Sequence, residues 1–212
     1  MIMLYAIVPS SAGLSALRTE ELHVHDDGEL AVFFEHRAGP PARTMKEVLS
    51  FGRTLQQIWA RTSLLPIQFG TELDDEDELA GLLSEHRHEW LSRLGRVCER
   101  SELIVHLPKA TVGPEHPPAS ADSGRDYLTA IAERVRTEDR LVDELRELLA
   151  PFAEDERALP AVEGPRRTFL VPDRHVEAAR AAIAGWVDRA GLDEVRVTGP
   201  WPPFSFCGEV VP

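Results

Sequence analysis

The spacing of apolar residues changes along the chain, and each change marks an element. Leu4, Tyr5, Ala6, Ile7 and Val8 form an unbroken apolar run closed by Pro9 and a Ser10, Ser11, Gly13 cluster. That pattern predicts a buried strand leaving into a turn. Residues 22–25 and 30–35 predict two more strands, joined by a tight turn at Asp27-Gly28, because glycine takes positive φ without steric cost. The period then becomes helical: Thr44 and Glu47 match a capping box, and Val48, Phe51, Leu55, Ile58 and Trp59 recur on one face as far as about Thr62. Residues 64–69 predict a short edge strand, since Pro66 cannot donate to a ladder. The acids at 74–78 sit where a helix N-terminus favours negative charge, and Leu79, Leu82, Leu83, His86, Trp90 and Leu94 continue as one stripe to Gly95.

Residues 103–107 predict a strand, and residues 111–123, rich in Pro, Ser, Ala and Gly without periodicity, a loop. Leu128, Ile131, Val135, Val142, Leu145, Leu149 and Phe152 then give a long helix over 126–152 with a heptad-like face. Strands are expected at 159–162 and 167–171. Asp173 is positioned to cap a helix whose Val176, Ala179, Ile183, Trp186, Val187 and Ala190 share a face, and Gly191 to stop it. A last strand is read at 194–198. After residue 103 the order is therefore βαββαβ, that of a ferredoxin-like sandwich. The fold class expected is α+β in two domains: a small α+β domain over 1–99, and a ferredoxin-like domain over 100–212 ending in a proline and aromatic tail.

Composition narrows the function classes. Lys and Arg number 23 against 36 Asp and Glu, a formal charge of −13 that repels phosphate backbones, so no nucleic-acid partner is expected. No stretch is long enough to span a bilayer, so no membrane partner is expected, and the apolar start is too short and lacks the basic residues of a signal peptide. Two separated cysteines, Cys98 and Cys207, form neither a disulfide framework nor a zinc motif, and fit a cytoplasmic location. Glycine-rich phosphate cradles and a strained serine elbow are missing from the sequence, so no enzymatic activity and no cofactor are expected. His23 and His25 share one side of a strand and could chelate a metal given a third ligand, but with no third-ligand motif they read as two partly exposed strand histidines. His86 and His88 fall about 200° apart on a helix and cannot share a metal.

The segment Gly199-Pro200-Trp201-Pro202-Pro203-Phe204-Ser205-Phe206 is the most distinctive. Its prolines fix φ and remove donors, so it presents Trp201, Phe204 and Phe206 from a stiff extended backbone. Two readings follow: an ordered tail lying back on the protein itself, which is favoured, with Trp201 packed inside; or an anchor for a partner protein.

This string resembles the C-terminal signature of the gas vesicle protein F and L family. Leu65-Pro66-Ile67-Gln68-Phe69-Gly70-Thr71 resembles that family's central Leu-Pro-x-x-Phe-Gly-Thr motif, residues 4–8 its first strand, and Gly124-Arg125-Asp126-Tyr127-Leu128 the start of its long helix. Gln68 replaces an expected arginine, Phe204 a commoner tyrosine, and Arg167-Thr168-Phe169-Leu170 a strand of Asn-Ala-Ala-Tyr-Leu type. The resemblance implies a two-domain α+β protein that serves gas vesicle formation as an assembly or minor structural protein. Its implied partners are the major shell protein and other gas vesicle accessory proteins, and it carries over no catalytic residues. A small-molecule-sensing regulatory module is the alternative, since ferredoxin-like domains host many functions; an enzyme using an inter-domain cleft is a third.

Overall fold

The computed structural model describes residues 1–10, 14, 19–109, 121–160 and 164–208, with backbone alone at 121–124 and 126. The chain is α+β. Among the described residues it has two antiparallel sheets and four α-helices, in two compact units: Met1–Arg100 together with the segment from Pro202, and Ser101–Trp201.

In the first unit, β1 (Ile2–Pro9) lies between β3 (Leu30–His36) and β4 (Leu65–Pro66), and β2 (His23–Asp26) pairs with β3. β5 (Glu72–Leu73), which no apolar pattern announces, also pairs with β1. Every residue from Ile2 to Val8 is buried, the pattern of a strand covered on both faces, and β1 contacts both α1 (Met45–Trp59) and α2 (Glu76–Val97). Strict alternation would place Tyr5 and Ala6 on opposite faces. The register of β1 against β3 slips between Leu4 and Ala6, and this bulge lets Met3, Tyr5, Ala6 and Val8 join one core with Phe33, Phe51, Leu55 and Ile58.

Helix α1 begins at the expected cap, where the Thr44 hydroxyl accepts from the Glu47 amide at 3.3 Å. The Glu47 carboxylate turns to Arg37 instead of reaching back, so half of the capping box forms. Asp75 caps α2, accepting from the Asp77 and Glu78 amides at 3.0 Å each. Leu79, Leu83, Trp90 and Leu94 are buried as the stripe requires, and His86 stacks on Trp90 at 5.3 Å.

In the second unit the order is β6 (Arg100–His106), α3 (Ala121–Leu149), β7 (Asp155–Leu159), β8 (Arg166–Pro172), α4 (Val176–Ala190) and β9 (Arg196–Trp201), with the sheet running β7-β8-β6-β9. Leu103, Val105, Phe169 and Val171 pack with Leu145 and Leu149 of α3 and Ile183 and Trp186 of α4. Three expectations are corrected here. Asp173 does not cap α4: its carboxylate accepts from the Ser101 hydroxyl at 2.5 Å, and a 3-10 turn over Asp173–His175 leads into the helix. The strand read at 159–162 forms earlier, at Asp155–Leu159, and residues 161–163 lie outside the described residues. The heptad face of α3 is buried from Leu141 onward, whereas Leu128 and Val135 are exposed. Of the loop read at 111–123, residues 111–120 lie outside the described residues, and the rest opens α3.

The tail also departs from expectation. β9 runs on through Gly199 and Pro200 to Trp201, which stands opposite Glu102. At Gly199 φ is +107°, and a Cβ there would lie 2.5 Å from the Glu102 carbonyl oxygen, so only glycine fits. The chain from Pro202 then belongs with the first unit, not with the domain over 100–212 to which sequence order assigns it.

Candidate functional site

β4 and β5 are two parts of one interrupted strand along β1. Ile7 and Ala6 face Leu65 and Pro66, while Met3 and Ile2 face Glu72 and Leu73. Between them the Ile67 amide donates to the Tyr5 oxygen at 2.9 Å and the Leu4 amide to the Thr71 oxygen at 3.0 Å. The chain is thus pinned to β1 on both sides of a short excursion. The Thr71 amide closes that excursion on the Gln68 oxygen at 3.2 Å, with Gly70 at φ +85°. The excursion is a lip carrying Gln68 and Phe69.

A groove of about 410 Å³ lies between this lip, α1 and the C-terminal tail. Phe51 and Phe69 form its aromatic side and meet edge-on at 5.3 Å, and the buried Tyr5 stacks on Phe51 at 4.7 Å behind them. The Tyr5 hydroxyl donates to Glu35 at 2.8 Å, and Glu35 and Glu47 both take Arg37, at 2.6 and 3.3 Å. Burial, then the Glu35 hydrogen bond, pushes the Tyr5 phenol up, so it stays a protonated donor that holds the ring in place. On the helix side Val48 and Gly52 stand one turn apart. Val48, read from periodicity as a core position, is 44% exposed, and Met45 and Leu49 beside it are more so. Among the described residues that line the groove none is charged, and Gln68 and Thr71 are the polar ones.

The tail completes the groove. Pro202, Pro203, Phe206 and Cys207 are buried. The Phe206 amide donates to the Pro203 oxygen at 3.0 Å, closing a 3-10 turn over Phe204–Phe206, and the Cys207 thiol donates to the same oxygen at 3.0 Å. Arg93 of α2 donates to the Cys207 oxygen at 3.3 Å. This turn aims Phe206 inward, at 4% exposure, and leaves Phe204 at the groove with 49% exposed. The three aromatics singled out by sequence therefore separate. Phe206 is core, Phe204 is a presented ring, and Trp201 is a strand residue 36% exposed, which corrects the expectation of a packed tryptophan. Two motifs far apart in sequence, the Leu65 to Thr71 string and the tail string, meet at one groove.

A second hollow, of about 560 Å³, is polar and lined by Glu20, Glu21, His23, Glu35, His36 and Arg37 among others. His23 and His36 meet edge-on at 4.8 Å, and Glu76 stands 3.5 Å from His36 Nε2 and 3.9 Å from His25 Nδ1. His23, through His36, and His25 are thus both linked to Glu76, on one side of their strand. Among the described residues no group of three such side chains could hold a metal ion.

Comparison with known proteins agrees in fold. Residues 1–208 match the family model described as gas vesicle synthesis protein GvpL/GvpF. The crystal structure of the gas vesicle protein GvpF from Anabaena sp. PCC7120 is similar at a TM-score of 0.83 and 13% identity, over 99% of this chain and 97% of that one. GvpF from Microcystis aeruginosa is similar at 0.77 and 12% identity, over 97% and 98%. No curated protein sequence matches the chain.

Proposed function

The chain belongs to the gas vesicle synthesis protein GvpL/GvpF family, and from that we propose that it is a non-enzymatic assembly or minor structural protein that binds the hydrophobic shell protein while gas vesicles form. The observation that carries this reading is the family match over nearly the whole chain. A shell around gas needs subunits with a large apolar face, and such faces aggregate before they assemble. An acidic partner of net charge −13 keeps a covered subunit in solution by mutual repulsion. The described residues contain no helix long and apolar enough to cross a membrane. The second unit is read as a ferredoxin-like domain, supported by its βαββαβ order and by a sheet order of second, third, first and fourth strand. Other gas vesicle accessory proteins are further partners in this reading.

The test is genetic and biochemical together. Deleting the gene should abolish or deform vesicles, and the purified protein should bind shell protein without nucleotide or metal. Normal vesicles in a clean deletion, in a strain with no second family member, would refute the assembly role.

A further inference from the structure

We draw no further inference here: the strongest candidate, the cluster of basic side chains that Arg166, His106 and Arg196 form across β8, β6 and β9 in the second unit's sheet, carries nothing, because residues 161–163 on the approach to Arg166 lie outside the described residues and nothing in the structure shows what covers it.

Discussion

The Arg93 guanidinium of α2 donates to the main-chain oxygen of Cys207 at 3.3 Å, joining the tail to a helix 114 residues earlier in the chain. Phe206 and Cys207 are buried beside this contact, while Phe204 faces the groove. The direction in which Phe204 points thus depends on how firmly its successors are held. Replacing Arg93 by methionine, which also removes its pairing with Glu89, should cost about 1.5–3 kcal/mol, the scale of a hydrogen bond from a charged donor. Hydrogen exchange at the Phe206 amide should quicken in that variant. Unchanged exchange would mean that burial of Phe206 alone holds the turn.

Burial ranks the tail aromatics differently from their sizes. Phe206→Ala should cost about 3–4 kcal/mol in urea melts, as for a ring at 4% exposure. Trp201→Ala should cost less, about 1–2 kcal/mol, because that ring is more than a third exposed and has less burial to lose. Equal costs, or a larger loss at Trp201, would contradict the tail geometry.

The division of the chain predicts an asymmetry between two fragments. A fragment of residues 101–201 contains β6 to β9 and the core around Leu103, Leu145, Phe169 and Ile183, and should melt cooperatively. A fragment of residues 101–212 also carries Phe206 and Cys207, whose burial belongs to the other unit, and should bind more of a dye that reports exposed apolar surface. A molten 101–201 fragment would show that the second unit is not an independent folding unit.

His106 gives the second unit a pH dependence. Burial, then Arg166 and then Arg196 opposite it in the sheet, hold its imidazolium below the ordinary histidine range. The unfolded chain therefore takes up that proton first as pH falls, and the folded state loses stability from about pH 6.5 downward. Wild type should lose more melting temperature between pH 7.5 and pH 5.5 than His106→Gln does. An equal loss in both would remove His106 from the account.

Local signals made much of this fold legible. β1, the Thr44 cap, the Phe51, Leu55 and Ile58 face of α1 and the stripe of α2 depend on neighbours one to four residues away, which spacing reports directly. The sequence also carried the family, because the Leu65 to Thr71 and Gly199 to Phe206 strings are specific in themselves. β7 was misplaced for a physical reason. Its Asp155, Glu156 and Arg157 look like solvated turn residues, yet the strand pairs with β8, and Arg146 and Arg167 hold Glu156 at 2.7 and 2.9 Å. Long-range pairing overrode local preference there.

What tertiary structure alone decided is the site. No periodicity announces the bulge at Tyr5, the interruption between β4 and β5, or the exposure of Val48, since each arises where segments far apart in the chain meet. By sequence order, the tail follows the second unit, yet Pro202 to Gly208 pack with the first, because the buried surfaces that Phe206 and Cys207 need are there. Three aromatics within six residues look equivalent as letters. The backbone from a sheet strand into a 3-10 turn gave them three different surroundings, and so left Phe204 as the ring presented at the groove.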